Sequence, residues 1–232
     1  KYKLDHHTDA VYSIAFHPTL PLFATSSKDH GVILYDIATS RPTIKHKLMD
    51  HKSGVSSVAF HTSLPLIATG SYDSSAILYV YTNTSLILKH HLKHHATCVH
   101  CVAFHSKFPL FVTCSSDDTA ILYDLSSSPL TIRHHFKNHI DTVSSAAFHP
   151  CLLLLITVSL DKTAILYDVA STPPSIQHIF KHHQSSIWCV TFHPNLPLLA
   201  IGSELKTSLY NLNQFTNIEQ TYLNNQFVYE IK

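Results

Sequence analysis

Glycine is scarce in this chain, and the scarcity excludes one large group of ligand sites. Only four glycines occur in 232 residues, and no two of them are clustered. Loops that cradle phosphate groups need closely spaced glycines, because the backbone must approach the phosphate oxygens. The sequence therefore predicts no phosphate loop and no nucleotide cofactor.

The chain also lacks an excess of one charge and a long apolar run. Lys and Arg number 16 against 15 Asp and Glu, so the formal net charge is +1 with His neutral. Sequence-independent binding of nucleic acid depends on a basic stripe, so we expect no nucleic-acid partner. The longest apolar run, Cys151–Ile156, is far shorter than the roughly 18 residues that indicate a membrane span. We therefore expect no membrane partner.

No targeting segment is visible at the start of the sequence. The first residue is Lys1, and Lys1–Asp5 lacks the apolar core of a signal peptide. Cysteines number five, an odd count, and most fall inside predicted strands, which argues against a disulfide framework. Reduced thiols are typical of intracellular proteins, so we expect a cytoplasmic protein, with the nucleus as an alternative.

What the chain has in abundance is repetition. A Phe-His pair recurs every 44 residues, and a tyrosine series and a second histidine series follow the same period, except that the last tyrosine comes one residue early. The pairs begin at Phe16, Phe60, Phe104, Phe148 and Phe192. The tyrosines are Tyr35, Tyr79, Tyr123, Tyr167 and Tyr210, and the histidines are His7, His51, His95, His139 and His183. A period between roughly 20 and 50 residues indicates a repeat architecture.

Each repeat contains four short runs that favour β-strands. In the third repeat the runs are Val99–Phe104, Leu110–Cys114, Thr119–Asp124 and Pro129–Phe136. They are rich in β-branched and aromatic residues and are bounded by turn residues. A unit of roughly 40–45 residues with four strands is typical of a propeller blade, so we predict an all-β propeller with almost no helix.

At these residues the chain resembles the WD40 repeat family. A unit of that family carries Gly-His near its start, a turn Asp before its third strand and Trp-Asp at the end of that strand. Here the tyrosine series stands in place of the Trp, and the Gly is replaced by polar residues that tolerate positive φ, which leads us to expect a left-handed turn there. The replacing residues are His6, Asp50, His94, Asn138 and His182.

The resemblance implies one propeller domain over residues 1–232. Its blades span approximately 6–50, 51–94, 95–138, 139–182 and 183–224, and 225–232 begin a sixth. Lys1–Asp5 aligns with the outer strand of a blade, and the last strand of the fifth blade is expected near Ile218–Leu223. Phe227–Ile231 resembles the first strand of another blade.

The number of blades leaves three alternatives open. A closed WD40 ring usually has about seven blades, and propellers range from roughly four to eight. The chain could be an open arc of a seven-bladed ring, a ring that a partner chain completes, or a closed five-bladed ring. An arc exposes apolar flanks and strand edges, so we expect self-association or completion by a partner.

A recurring set of His, Thr or Ser, Asp and Tyr would suggest a hydrolase if it occurred once. A catalytic triad is needed at one place only, whereas this set recurs in at least four repeats. We therefore interpret it as a hydrogen-bond network that satisfies buried polar groups inside each blade. Its members are His7, Asp29, His51, Thr69, Asp73, Tyr79, His95, Thr113, Asp117, Tyr123, His139, Asp161, Tyr167 and His183.

The 21 histidines raise a metal-binding hypothesis. Adjacent residues of a strand point to opposite faces and cannot converge on one ion, and Cys98 and Cys101 fail for the same reason. We therefore predict no metal site. The adjacent pairs are His90-His91, His94-His95, His134-His135 and His182-His183.

Two positions vary between repeats and are candidates for partner binding. One lies just inside the first strand and reads Tyr12, Ser56, His100, Ser144 and Trp188; the other precedes the turn Asp and reads Lys28, Tyr72, Ser116, Leu160 and Glu204. The resemblance implies that both lie near the top rim of a propeller, where Tyr and Trp are favoured anchors. Neutral drift at surface positions is the alternative. The candidates are Tyr12, Lys28, Tyr72, His100, Trp188 and Glu204.

The predicted function is a non-enzymatic scaffold that binds other proteins or peptides through the top face, with no cofactor. An enzyme would need one repeat with a polar set that the others lack, and no repeat has one. The alternative is a structural subunit of a larger assembly, whose incomplete propeller is closed by a partner chain.

Overall fold

Five antiparallel sheets follow one another along the chain. The computed structural model describes residues 2–82, 85–181 and 183–214, and more than half of these residues lie in strands. The described helical structure is one short 3-10 helix, Leu212–Gln214. The predicted all-β class is therefore confirmed. We call the sheets blades 1 to 5, and the strands of a blade a to d in chain order.

Each of the first four blades is a four-stranded meander. Blade 1 contains β1 (Val11–Phe16), β2 (Leu22–Ser27), β3 (Val32–Asp36) and β4 (Thr43–Leu48). Blade 2 contains β5 (Val55–Phe60), β6 (Leu66–Ser71), β7 (Ala76–Tyr81) and β8 (Leu86–Leu92). Blade 3 contains β9 (Val99–Phe104), β10 (Leu110–Ser115), β11 (Ala120–Asp124) and β12 (Thr131–Phe136). Blade 4 contains β13 (Val143–Phe148), β14 (Leu154–Ser159), β15 (Ala164–Asp168) and β16 (Ser175–Phe180).

Blade 5 has three described strands: β17 (Ile187–Phe192), β18 (Leu198–Ser203) and β19 (Thr207–Asn211). The strands expected near Ile218–Leu223 and at Phe227–Ile231 lie outside the described residues. No helix in the described part of the chain is long and apolar enough to cross a membrane.

Burial explains the composition of the strands. Strand b is buried along its whole length in each of the first four blades. Neighbouring blades cover both of its faces in blades 2 to 4, whereas in blade 1 the second face packs on blade 2 and the first on Leu4 and Ile37. Strand d lies at the outer edge, where its residues are mostly exposed or half-buried. The apolar b and c runs therefore form the core, and the histidine-rich d runs lie outside it.

Two sequence-based expectations for strands need correction. In the third repeat the fourth strand begins at Thr131 and not at Pro129, because proline has no N–H to donate to the ladder. The expected strand at Lys1–Asp5 is wrong for the described residues Tyr2–Asp5, which form no strand. A fourth strand needs a third strand beside it, and Leu4 packs instead on the apolar cluster of Phe23, Ile33 and Tyr35.

The Phe-His pairs form the seams between neighbouring blades. The His ring of each blade packs against the Phe ring of the next blade, with ring centroids 5.2–5.3 Å apart in all four seams. In every blade the same His accepts backbone N–H bonds at Nδ1, which fixes its ring in the turn between strands a and b. The pairs are His17 with Phe60, His61 with Phe104, His105 with Phe148 and His149 with Phe192.

The first flank of blade 1 is only partly covered by described residues, with Leu4 on the cluster of Phe23, Ile33 and Tyr35. Ile14 and Phe16 of β1 are 60% and 68% exposed, whereas Val58 and Phe60, their counterparts in blade 2, are 5% and 8% exposed. At the other end, His193 of blade 5 is exposed, while its four counterparts are buried. Among the described residues, blade 1 therefore has no neighbouring blade on its first side.

Candidate functional site

A β-bulge in strand a positions the first set of candidate side chains. In every blade the register between strands a and b skips one residue, and the skipped residue is the variable one. A bulge leaves a residue unpaired and redirects its side chain. The variable position therefore lies where the strand pairing does not dictate the side chain. The skipped residues are Tyr12, Ser56, His100, Ser144 and Trp188.

Small and large residues use the bulge differently. Ser56 Oγ donates to the carbonyl oxygens of Gly70 and of Val99 in the next blade, and Ser144 Oγ makes the equivalent bonds to Val158 and Ile187. A serine at the bulge is therefore hydrogen-bonded within the seam between two blades. The rings of Tyr12 and Trp188 remain 41% and 55% exposed.

The second set is positioned by a backbone hydrogen bond in every blade. The first residue of the b–c turn donates its N–H to a carbonyl in the loop before strand a, at 2.9–3.0 Å. This bond brings the turn next to the bulge, so both candidate sets share one end of the blades, which we call the top face. The donors are Lys28, Tyr72, Ser116, Leu160 and Glu204.

Three of the six candidates form an aromatic row across blades 1 to 3. The ring centroids of Tyr12 and Tyr72 are 5.6 Å apart, and those of Tyr72 and His100 are 5.7 Å apart. His100 Nε2 lies 2.5 Å from Ser116 Oγ, which ends the row. Burial lowers the pKa of His100, so the row is uncharged near neutral pH.

Gly54 belongs to this row, although the sequence analysis did not identify it. A Cβ at Gly54 would lie 3.2 Å from Lys28 Cα and 3.4 Å from ring atoms of Tyr12 and Tyr72. The contact with the Lys28 backbone is the tight one, so glycine lets the loop before strand a of blade 2 approach the b–c turn of blade 1. In a chain with four glycines, a glycine two residues before a variable position was the available signal.

The other three candidates are not part of the row. Lys28 Nζ lies 3.6 Å from Asp9 Oδ2 at the edge of blade 1, where both side chains are largely exposed. Trp188 and Glu204 are exposed on blade 5. Between them and the row lies blade 4, whose residues at these positions are Ser144 and Leu160. The structure therefore separates the candidates into a row on blades 1 to 3 and two residues on blade 5.

The His, Thr and Asp set lies together within each of the first four blades. In blade 2, His51 Nδ1 donates to Asp73 Oδ2 at 3.0 Å, and the Thr69 hydroxyl donates to His51 Nε2 at 2.7 Å. In blades 1, 3 and 4 the same two distances are 2.8–2.9 Å and 2.7–2.8 Å. The corresponding triplets are His7, Thr25, Asp29; His95, Thr113, Asp117; and His139, Thr157, Asp161.

The turn Asp also holds the loops around it. Asp73 accepts hydrogen bonds from the Lys52 N–H and from the backbone and hydroxyl of Ser75. Burial alone would raise the pKa of Asp73, but these bonds and His51 outweigh it and lower the pKa to about 2. Burial lowers the pKa of His51 more than Asp73 raises it. A neutral His beside an ionised Asp matches the hydrogen-bond directions above.

The tyrosines explain why the expected left-handed turns are absent. In four blades the Tyr hydroxyl is hydrogen-bonded, at 3.0–3.2 Å, to the residue that replaces the Gly of Gly-His. None of these four residues has positive φ, so the expectation of a left-handed turn was wrong for them; His182 lies outside the described residues. They are needed as hydrogen-bond acceptors for the tyrosine hydroxyl, a group that a Trp at the same position would lack. The pairs are Tyr35 with His6, Tyr79 with Asp50, Tyr123 with His94 and Tyr167 with Asn138.

Positive φ occurs instead directly after the turn Asp. His30, Ser74, Asp118 and Lys162 have φ of 65–71°. Each follows the Asp of its own blade, so the left-handed residue shapes the hairpin that presents the carboxylate. Among the described residues, no three His, Cys, Asp or Glu side chains lie together in a group that could hold a metal ion.

Comparison with known proteins identifies the repeat. The family model described as WD domain, G-beta repeat matches residues 1–36, 42–79, 86–124, 130–168 and 174–207. These five matches cover most of the chain and leave only short segments between neighbouring repeats. A search of curated proteins finds no match.

Proposed function

The chain belongs to the WD40 repeat family, and from this we propose that it is a non-enzymatic scaffold whose top face binds another protein or a peptide. WD40 repeats are interaction domains in general, which supports the proposal. The observation that carries it is the aromatic row of Tyr12, Tyr72 and His100, formed by bulge and turn positions that the blade itself leaves free. Aromatic rings that are rigid and partly exposed are favoured anchors at protein interfaces.

The chemistry of the row suggests the character of the partner. The row is uncharged and offers ring faces together with phenol and imidazole hydrogen-bonding groups. The one described ion pair near the row joins Lys28 to Asp9, and the two charges offset each other. We therefore propose an extended segment with apolar side chains and free backbone groups, bound across blades 1 to 3 of a single propeller domain.

Affinity capture with matched variants tests this proposal. The purified chain is immobilised as wild type, as Tyr12→Ala/Tyr72→Ala/His100→Ala, and as Leu20→Ala/Leu64→Ala/Phe108→Ala. The last three residues are 36–45% exposed in the turns at the opposite end of the blades. Quantitative mass spectrometry should show proteins that the row variant loses and the control retains. Equal retention by both variants would reject the row as the binding surface.

The uncovered flank supports a second candidate, a subunit whose propeller is completed by a neighbouring chain. Ile14 and Phe16 are exposed where the other seams bury or half-bury their counterparts. Sedimentation of the purified chain should then show oligomers, and Phe16→Glu should shift them toward the 26.1 kDa monomer. Phe108→Glu, a charge at another exposed Phe, is the control. A monomeric wild type would reject this candidate.

Intracellular residence, in the cytoplasm or the nucleus, is part of the proposal. All five cysteines are free, which suits a reducing compartment.

A further inference from the structure

Two cysteines face each other across strands a and b of blade 3. Cys101 of β9 and Cys114 of β10 are direct partners in the strand register. Directly opposed residues of an antiparallel pair have Cα atoms about 4.5–5.5 Å apart and side chains on one face of the sheet. Disulfides span Cα distances of about 4.4–6.8 Å. The register therefore places the two thiols within bonding range of each other without any change of fold.

The two thiols differ in environment. Cys114 is fully buried, whereas Cys101 is half-buried, with Sγ 3.8 Å from the Ala146 carbonyl oxygen and 4.0 Å from Ser145 Oγ in blade 4. A hydrogen bond from the Cys114 thiol lowers the pKa of Cys101 to about 7, while burial raises that of Cys114. A more acidic, more accessible thiol beside a buried one is the arrangement of an attacking and a resolving cysteine.

Blade 5 provides an independent view of the same register. Cys189 and Gly202 are partners there, at the positions of Cys101 and Cys114. A Cβ at Gly202 would lie 2.5 Å from Cys189 Sγ. The sulfur of a cysteine at this position on strand a therefore lies directly over the Cα of the opposing residue on strand b. In blade 1 both positions are serine, Ser13 and Ser26, so hydroxyls fit the same pair of sites.

We propose that Cys101 and Cys114 are a modification site, a dithiol that hydrogen peroxide converts to a reversible disulfide within blade 3. The Cys101 thiolate attacks one peroxide oxygen, the O–O bond breaks, and with a proton the second oxygen leaves as water, giving a sulfenic acid. The Cys114 sulfur then attacks the Cys101 sulfur, the S–O bond breaks, and the Cys114 proton leaves with the hydroxide as water. Two thiols are oxidised, one peroxide is reduced to two waters, and a dithiol reductant reverses the change.

The disulfide has a structural consequence at the seam between blades 3 and 4. The Cys101 sulfur now contacts Ser145 and Ala146 of blade 4, and a bond to Cys114 draws it back toward its own blade. His100, one residue away, is part of the aromatic row. Oxidation therefore acts next to the proposed binding surface, although the chemistry does not depend on that function.

Peptide mapping of the full chain tests the proposal. The reduced protein is treated with stoichiometric hydrogen peroxide at neutral pH, alkylated with N-ethylmaleimide in denaturant and digested with trypsin without reduction. Cleavage after Lys93, Lys107 and Arg133 yields peptides 94–107 and 108–133. They should appear joined, two hydrogens lighter than their sum, with fragment ions that place the link on Cys101. Alkylation of Cys101 and Cys114 should fall together and recover after dithiothreitol.

Serine variants and Cys189 are the controls. Cys98→Ser should keep the link, Cys101→Ser should abolish it, and Cys114→Ser should leave a Cys101 sulfenic acid that dimedone traps. Cys189 in the wild type should react with dimedone without forming an intrachain link, because Gly202 opposes it. A link through Cys98, a link between two chains, or free thiols at Cys101 and Cys114 after Cys189 has reacted would overturn the proposal.

Discussion

Blades 2 and 5 are built on the same repeat, yet only blade 2 retains the polar network. In blade 2 the b–c turn closes with the Ser71 N–H bonded to the Ser75 carbonyl, and in blade 5 the Ser203 N–H bonds to Lys206, one residue earlier. The shorter turn has Leu205 where the Asp would be, and Ile201 replaces Thr69. His183 Nε2 then lies 3.2 Å from the Tyr210 hydroxyl.

The loss of two polar residues together has a physical reason. When the His no longer pairs with an Asp, the buried Thr hydroxyl loses a fixed hydrogen-bond partner. A buried hydroxyl without a partner lowers stability more than an apolar side chain in its place. Blade 5 is also less buried: its strand b alternates between buried and half-buried residues, whereas that of blade 2 is buried throughout. The network is therefore absent from the blade whose strand b is least buried.

Acid should have the largest effect, and it should act on the seams. Burial, with the nearby charges of His105 and Lys107, lowers the pKa of His149 from 6.5 to about 4. The folded state therefore binds fewer protons than the unfolded state, so stability is full above pH 6.5 and is lost as pH falls toward 4. His149 alone should account for roughly 3 kcal/mol of that loss.

Urea unfolding between pH 8 and pH 4 measures this loss. His149→Asn keeps an acceptor for the turn N–H groups but does not titrate, so its stability should depend less on pH. His193→Asn, at the exposed counterpart in blade 5, is the matched control. Equal pH profiles for His149→Asn and the wild type would contradict the argument.

Removing the turn Asp should have the next largest effect. Asp117→Ala leaves the N–H groups of Ala96 and Thr119 and the His95 ring without their acceptor, and should cost about 2–3 kcal/mol. Leu205→Ala, at the equivalent position of blade 5, should change stability by less than about 0.5 kcal/mol because its side chain is 76% exposed. Similar losses in both variants, measured by urea unfolding, would show that the network has no special role.

Converting blade 2 toward blade 5 at strand b should have an intermediate effect. Thr69→Ile removes the hydroxyl that donates to His51 Nε2, and the expected cost is about 1–2 kcal/mol. Thr69→Ser keeps the hydroxyl and should retain most of the network. Thermal unfolding compares the two, and a serine variant less stable than the isoleucine variant would mean that volume outweighs the hydrogen bond.

The smallest effect is expected from the tyrosine hydroxyl. Tyr79→Phe removes one bond, to Asp50, and should cost about 1 kcal/mol. Tyr210→Phe should cost less, because Tyr210 is half-buried whereas Tyr79 is fully buried. Asp50→Gly, which restores the residue typical of the family, should lower the cost of Tyr79→Phe in a double-mutant cycle. Strict additivity in that cycle would show that the two residues do not interact.

Much of the fold follows from the 44-residue period, because a shift of one residue in strand register would move every side chain of a strand to the opposite face of its sheet. Val99–Phe104 has the predicted bounds for that reason. The same period predicted which side chains meet, and His51, Thr69 and Asp73 lie within hydrogen-bond distance.

The remaining features depend on local geometry that the period does not contain. The bulge at Tyr12 is a change in pairing, and it leaves no mark in the spacing of the repeats. Residue type alone does not separate the two roles considered for Asp50, because the residues that tolerate positive φ also accept hydrogen bonds. The tyrosine series was the overlooked signal, since a buried phenol requires an acceptor and tryptophan presents a different donor.

The seams also divide the chain into equivalent units, one for each blade. Every blade presents an imidazole on one side and a phenyl ring on the other, so any blade fits after any other. Excision of whole units of 44 residues brings together two cut faces that already match, whereas a cut of another length breaks the register of His and Phe. Blade number in such a chain can change by duplication or loss of complete units, without the invention of a new interface.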